Sequence, residues 1–181
     1  MEQNLESTVA LLARTPAALD ALLRGLPDAW TRANEGDNTM SPFDVIAHLV
    51  QSEKENWIPR ARMILHSGQS VPFPPFDRWA GIRASQSAAL GDLLDQFARL
   101  RTESLSQLRA LHLQPADFDR RGLHPALGPV TLSQLLSAWV GHDLTHLHQM
   151  SRVLAHQYRE SVGKWSNFLG VMHCTGHSAQ A

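Results

Sequence analysis

Apolar residues recur at helical spacing along four long stretches of the chain, and no alternating strand pattern competes with them. Because each stretch has one apolar face and few other elements are expected, the sequence favours an all-α protein, a four-helix bundle. We expect a single domain over residues 1–181, whose tail packs partly on the bundle and frays from about residue 171. The four predicted helices cover residues 5–26, 41–66, 79–113 and 131–158.

Capping residues support the starts of two of these helices. Ser41 precedes Pro42 and is followed three residues later by Asp44, an arrangement typical of a helix N-terminus. Thr131 is likewise followed by Gln134, which predicts a second capping box. The second helix should therefore begin at residue 41 and the fourth at residue 131.

Prolines mark the places where the helical pattern should bend or stop. Pro16 lies inside the first predicted helix and should kink or divide it, because proline lacks an N–H and has a bulky ring. Pro59 lies inside the second helix and predicts a bend. Residues 71–76 contain three prolines, which favour an extended backbone. We expect this stretch to link the second helix to the third.

Composition and charge narrow the class of protein. A formal net charge of -1 and a pI of about 6.8 leave no broad basic surface to neutralise phosphates, so nucleic acid is not expected as a partner. No apolar run approaches the roughly 20 residues that span a bilayer. One cysteine, Cys174, cannot form an internal disulfide, and the N-terminus lacks a secretion signal. These features predict a cytoplasmic protein that acts without a membrane.

A histidine pair on the fourth predicted helix is the strongest chemical signal. His142 and His146 lie one helical turn apart and share a face with the apolar Leu135 and Trp139, so both imidazoles should point toward the core. Two imidazoles at this spacing can converge on one metal ion. His148 falls on a different face, and we expect it at the surface or in a groove.

His48 is the leading candidate for a third ligand, because it lies within an apolar run of the second helix. Three histidines would leave coordination positions open for water or substrate, which is typical of catalytic sites. The alternative is that each of these histidines is an ordinary hydrogen-bonded core residue. A protease site is disfavoured, because Asp143 stands where the zinc-protease helix has its glutamate.

Other polar residues offer weaker signals. On the second predicted helix, Glu55 would lie close to the face that bears His48, whereas Glu53 would point elsewhere. For both glutamates, a position on a solvated helix face is the simpler interpretation. His124 lies on the predicted loop that leads into the fourth helix, where it would border the site or lie at the surface. Three tail residues could bind metal adventitiously, although a disordered terminus explains them better: His173, Cys174 and His177.

The run from Ser41 to Leu49, SPFDVIAHL, resembles the second-helix motif of the DinB-like (YfiT-like) superfamily. Residues 124–165, HPALGPVTLSQLLSAWVGHDLTHLHQMSRVLAHQYRESVGKW, resemble that family more specifically. The resemblance implies an up-down-down-up four-helix bundle in which residues 71–76 form the crossover. It also implies one divalent metal ion, commonly nickel or zinc, bound by His48, His142 and His146, and it implies a homodimer.

Family resemblance also suggests an activity. Characterised relatives include thiol S-transferases that use bacillithiol or mycothiol and a mycothiol-dependent maleylpyruvate isomerase. We therefore expect a metal-dependent thiol S-transferase, with a small-molecule substrate and a low-molecular-weight thiol as cosubstrate. The alternatives are metal-assisted hydrolysis, with Glu55 or His124 as a possible base, and a bundle that binds metal or a small ligand without catalysis.

Overall fold

The computed structural model describes residues 5–174, in which eight α-helices surround a core and one short hairpin packs against two of them. The helices are α1 (Leu5–Leu12), α2 (Thr15–Leu23), α3 (Asp28–Thr31), α4 (Pro42–Glu55), α5 (Trp57–His66), α6 (Ala80–Ala84), α7 (Leu90–Ala110) and α8 (Leu132–His156). The strands are β1 (Arg121–His124) and β2 (Gly128–Thr131). Short 3-10 turns cover Pro115–Asp119, Gly163–Phe168 and Gly170–His173.

Four helical segments form the bundle, which confirms the predicted fold class. The first consists of α1 and α2, the second of α4 and α5, the third of α7 and the fourth of α8. Helix α4 packs against both α7 and α8, while α1 packs on α8 and α2 on α7. This arrangement places α4 and α8 side by side in the interior, where the histidines predicted to bind metal lie.

Three of the predicted helices are interrupted, the first two close to the prolines that predicted an interruption or a bend and the third at a place that the sequence did not indicate. Pro16 lies in the first turn of α2, where it needs no donor, so the chain breaks before it. The second helix divides at Asn56, three residues before Pro59, with φ −95° and ψ −65°. Helix α7 begins at Leu90, because α6 is a separate short helix rather than its first turns.

The hairpin corrects the expectation that the chain has no strands. Strands β1 and β2 pair antiparallel, with Gly122 opposite Val130. A Cβ at Gly122 would lie 2.7 Å from the ring of Phe73, so only glycine allows this close approach. Phe73 also donates its backbone N–H to the carbonyl of Leu123 at 2.8 Å. Four-residue strands are too short to give a readable alternation, which explains why the sequence did not predict them.

Both predicted capping boxes are present. Ser41 accepts from the N–H of Asp44 at 3.2 Å, and Asp44 accepts from the N–H of Ser41 at 3.0 Å. Thr131 and Gln134 exchange the equivalent bonds at the start of α8. Each pair satisfies two backbone donors that a helix N-terminus leaves open, and so fixes where the two helices that hold the histidines begin.

The apolar core consists of two clusters, and both include residues of α7 and α8. Fully buried aromatic residues anchor it, namely Phe43, Phe73, Phe97 and Trp139. Burying a large apolar side chain contributes about 1.5–3 kcal/mol. Within residues 5–174, no helix combines the length and the apolar character that a bilayer crossing requires.

The tail packs less closely than the rest of the chain. Trp165 is 73% exposed and Phe168 is 82% exposed, although both belong to a 3-10 turn. The expectation that the tail packs only partly on the bundle therefore agrees with the described part. The expected fraying from about residue 171 concerns mainly residues 175–181, which lie outside the described residues.

Candidate metal site

Three histidine side chains from two helices meet in the interior and form the histidine cluster, His48, His142 and His146. The Nε2 atom of His142 lies 3.0 Å from Nε2 of His48 and 3.2 Å from Nε2 of His146. His48 and His146 are each 5% exposed. Among the described residues this is the group whose ligand atoms could hold one ion, since all lie within 4.8 Å of one another.

The outer nitrogens of two of these rings have partners that fix their orientation. Nδ1 of His48 lies 3.3 Å from the carbonyl oxygen of Arg78, which can only accept, so Nδ1 carries the proton. Nδ1 of His146 lies 2.9 Å from Oε1 of Gln149 and donates in the same way. In the neutral rings, the proton on Nδ1 leaves a lone pair on Nε2. These lone pairs point into the cluster.

Burial keeps the three imidazoles neutral. Burial, and then the neighbouring His146, lowers the pKa of His48 to about 3. Burial lowers the pKa of His142 well below its ordinary value, with further contributions from His146 and His48. Burial also lowers the pKa of His146. Neutral imidazole is the form that binds metal ions, so the environment already supplies the required protonation state.

The arrangement of these nitrogens fits a divalent cation. The single Nε2 proton that neutral His142 can carry cannot be donated well to both His48 and His146, so one lone pair would face another nitrogen without a proton between them. A cation would accept all three lone pairs. Ligands at about 2.0–2.1 Å from a tetrahedral zinc ion stand roughly 3.4 Å apart, close to the two observed distances. Three neutral imidazoles suit zinc, nickel, copper or iron.

Aromatic rings surround the histidine cluster on several sides. Trp57 contacts His142 edge-on at a centroid distance of 5.1 Å, and Phe76 contacts His48 at 5.7 Å. Trp139 stacks on Trp57 at 5.6 Å with an interplanar angle of 8°. Trp139 therefore supports the ring that contacts His142. These rings limit the access of water to the imidazoles.

The link after α5 is fastened to α4 beside His48. The side chain of Gln51 donates to the carbonyl of Asp77 at 2.9 Å and accepts from the N–H of Gly81 at 2.8 Å. A Cβ at Gly81 would lie 2.8 Å from the carbonyl of Ala47, so glycine permits this close packing of α6 on α4. The carbonyl of Arg78 is thereby held where His48 needs an acceptor.

The expectations for the other histidines have mixed outcomes. His148 is exposed, as its helical phase predicted. His124 belongs to β1 rather than to a loop; its Nδ1 accepts from the N–H groups of Ala126 and Leu127, and its ring contacts Phe73. His173 forms no hydrogen bond with the histidine cluster. Its ring lies beside the carbonyl of Ser166 instead.

Of the two glutamates on α4, only one lies where the sequence placed it. Glu55 is exposed and accepts from Gln51 at 3.1 Å, as a solvated face would suggest. The expectation that Glu53 lies on a solvated face is wrong, because Glu53 is 4% exposed. Its buried position is explained by Arg101, a cation on α7 that the apolar pattern gave no reason to pair with it.

Glu53, Arg101 and Asp143 form a second buried group, the arginine cluster. Arg101 donates to Oε1 of Glu53 at 2.8 and 3.0 Å and to the two oxygens of Asp143 at 2.5 and 2.9 Å. It also donates to the carbonyl of Leu12 at 2.7 Å, while Trp139 donates its indole N–H to Glu53 at 3.1 Å. Burial opposes the charge of Arg101, yet the hydrogen bonds to Asp143 and the charge of Glu53 outweigh it and raise the pKa.

Only two residues of the predicted tail cluster, His173 and Cys174, lie within the described residues. Cys174 is exposed and donates to the carbonyl of Gly170 at 3.3 Å. His177 lies outside the described residues, so its position relative to His173 and Cys174 is not part of the structure. None of the described tail residues joins the histidine cluster.

Comparison with known proteins identifies the family and the fold. Residues 11–150 match the family model of the DinB superfamily. The structure is similar to that of YfiT from Bacillus subtilis, which is described as a probable metal-dependent hydrolase with an unusual four-helix bundle topology. The two structures match with a TM-score of 0.73 and 22% sequence identity, and the match covers 87% of this chain and 89% of that chain. No curated protein matches the sequence significantly. The likeness to YfiT confirms the fold.

Proposed function

The chain belongs to the DinB superfamily, and on that premise we propose that it is a metal-dependent enzyme that transfers a low-molecular-weight thiol to an electrophilic small molecule. The observation that carries this proposal is the convergence of three neutral Nε2 atoms from α4 and α8. We propose His48, His142 and His146 as the ligands of one divalent ion, with nickel or zinc as the first candidates.

The chemistry of the donor set supports activation of a thiol. A divalent cation bound by three uncharged ligands keeps its charge and favours the thiolate form of a coordinated thiol of the bacillithiol or mycothiol type. A free thiol has a pKa of about 8.5, far below the pKa of water. A thiol therefore needs little help from a protein base at neutral pH.

The residues around the histidines are consistent with that preference. Among the described residues, no carboxylate joins the group of possible ligand atoms. Glu53 and Asp143, the buried carboxylates nearest in sequence to His48 and His142, are both engaged by Arg101. Trp57 and Phe76 would shield a thiolate from water on two sides.

The proposal is tested by assaying thiol conjugation to 1-chloro-2,4-dinitrobenzene with the zinc-loaded and nickel-loaded protein. We expect conjugation above the uncatalysed rate that disappears in His146→Ala. His148→Ala is the matched control, because His148 lies on the same helix but is exposed, and it should keep full activity. Equal rates in wild type and His146→Ala would contradict the proposal.

Metal-assisted hydrolysis is the second candidate, favoured by the description of YfiT as a probable metal-dependent hydrolase. Hydrolysis of an ester such as p-nitrophenyl acetate, dependent on His146 and indifferent to added thiol, would support this candidate over thiol transfer. Stoichiometric metal without either activity would support a bundle that binds metal without catalysis. The homodimer and the identity of the thiol remain predictions from the family.

A further inference from the structure

Two buried or half-buried arginines, Arg78 and Arg60, lack the carboxylate partners that other interior arginines have. Arg101 and Arg152 are both paired, with Glu53 and Asp143 in one case and with Glu35 in the other. Arg78 and Arg60 form no ion pair within residues 5–174. An unpaired cation in a protein interior is costly, so these two positions call for a physical explanation.

Arg78 lies directly beside the histidine cluster. Its carbonyl accepts from Nδ1 of His48, and its charge contributes to lowering the pKa of His48, His142 and His146. Its Nε atom is buried and has no hydrogen-bond partner among the described residues. The guanidinium therefore adds an unneutralised positive charge next to the place where a metal ion would sit.

A row of buried polar residues connects the histidine cluster with Arg60. His48, Ser52, Asn56 and Arg60 are spaced four residues apart, and the bonds from Asn56 N–H to Ser52 and from Arg60 N–H to Asn56 continue the helical pattern across the break. All four residues are at most 9% exposed. Each residue of the row therefore lies about one turn from the next along α4 and α5.

Two atoms in this row have hydrogen-bonding capacity that the protein does not use. Oγ of Ser52 and Oδ1 of Asn56 are buried without a partner among the described residues. Arg60 at the end of the row contacts the ring of Phe73 at 5.3 Å and the carbonyl of Pro74 at 3.5 Å, at the limit of a hydrogen bond. Leaving such groups unsatisfied costs about 1–3 kcal/mol each.

We infer that the substrate of the proposed reaction is an oxyanion, a carboxylate or a phosphate, which Arg78 binds beside the three histidines while polar groups of the same molecule reach Ser52, Asn56 and Arg60. This inference rests on the proposed function and specifies its substrate class. Arginine binds both anions through two parallel N–H donors. Such a ligand would neutralise the unpaired cations and satisfy the unused polar atoms.

Calorimetric titration with succinate and with inorganic phosphate tests the inference. Both anions are added separately to metal-free and zinc-loaded wild type and to Arg78→Gln, Arg78→Lys, Arg60→Gln and Arg62→Gln. We expect Arg78→Gln to raise the Kd of the preferred anion at least about tenfold, because a charge-assisted hydrogen bond is lost. Arg78→Lys should recover part of the affinity. Arg62→Gln is the matched control, since Arg62 is exposed and binds Gln107 instead.

The outcome separates the inference from the proposed function. Metal content and circular dichroism are measured on every variant, so a lost fold is recognised directly. If wild type holds no metal, the proposed function fails, and the metal-free titrations still decide whether Arg78 binds an anion. The inference is overturned if wild type binds neither anion, or if Arg78→Gln binds with the same Kd as wild type.

Discussion

The histidine cluster and the arginine cluster join the same two helices, α4 and α8, yet they differ in how their polar groups are satisfied. In the arginine cluster, Arg101 places four N–H···O contacts on Glu53 and Asp143, and charges of opposite sign face one another. In the histidine cluster, nitrogens face nitrogens, and no carboxylate of the described residues belongs to the group of ligand atoms. The first cluster balances its charges without a ligand, although Oε2 of Glu53 has no hydrogen-bond partner among the described residues. In the second, the three Nε2 lone pairs are all matched only when a cation is added.

The two clusters give neighbouring residues of α8 different roles, support for Asp143 and the proposed metal binding for His142. Asp143 follows His142 directly in sequence, but its side chain turns toward α7 and holds α8 in place. His142 and His146 then project from a helix that is fixed by a buried ion pair. A metal site requires this kind of rigid support, because its ligands must keep their geometry to a fraction of an ångström.

The largest effect is expected when the arginine cluster is broken. Arg101→Met leaves Glu53 and Asp143 buried without a cation, and removing one member of a buried ion pair costs about 3–5 kcal/mol. The free energy of unfolding, measured by urea denaturation, should fall by that amount. Arg99→Met is the control, because Arg99 pairs with Glu103 at the surface and should change the value by less than about 1 kcal/mol. Equal losses in both variants would contradict the comparison.

The histidine cluster should respond in metal binding rather than in folding. His142→Ala removes the ring that contacts both other histidines, so stoichiometric metal uptake should be lost. The unfolding free energy of the metal-free protein should change by only about 1–2 kcal/mol. Equilibrium dialysis with zinc and a urea titration check the two parts, with His148→Ala as the exposed control. A loss of stability as large as that of Arg101→Met would remove the distinction between the clusters.

Trp139 touches the arginine cluster with its indole N–H and supports Trp57 with its ring. Trp139→Phe keeps an aromatic ring but deletes the hydrogen bond to Glu53, which should cost about 1.5–3 kcal/mol. We expect metal affinity to change little, because no ligand nitrogen bonds to the indole. Thermal or urea unfolding and zinc dialysis test this variant. A large fall in zinc affinity at unchanged stability would show that the two clusters are not separable.

The smallest effect should follow from a change outside the three ligands. Gln149→Leu removes the acceptor of Nδ1 of His146. Partners of this kind orient a ligand and are worth about 10–100-fold in metal affinity. Competition with a chromogenic zinc chelator measures the affinity, and Thr145→Val on the exposed side of α8 serves as the control. An affinity equal to that of wild type would show that His146 needs no such support.

Periodic patterns explain what the sequence could predict. The apolar stripes gave four helical segments, and the capping boxes at Ser41 and Thr131 gave the starts of the two helices that bear the histidines. Helical phase also separated His148 from His142 and His146, because it depends only on the local geometry of α8. These features are local, so a reading of neighbouring residues was sufficient.

The missed features depend on contacts between distant segments. Glu53 is buried because it pairs with Arg101, which lies 48 positions further along the chain. No residue close to Glu53 in sequence indicates that partner. The acceptors of the ligating histidines were equally hidden, since the carbonyl of Arg78 reaches His48 only after the link has folded back on α4. Gly122 and Gly81, each packed against a side chain or carbonyl from another segment, were the available signals, and a single sequence does not distinguish such glycines from those in turns.

The central claim is that the three histidines hold one divalent ion, and X-ray absorption spectroscopy of the full chain tests it most directly. Zinc-loaded protein should contain one ion per chain with three imidazole nitrogens at about 2.0–2.1 Å, and His146→Gln should lose that spectrum. A sulfur ligand at about 2.3 Å would place the ion at Cys174 instead. That result, or a spectrum unchanged in His146→Gln, would contradict the account.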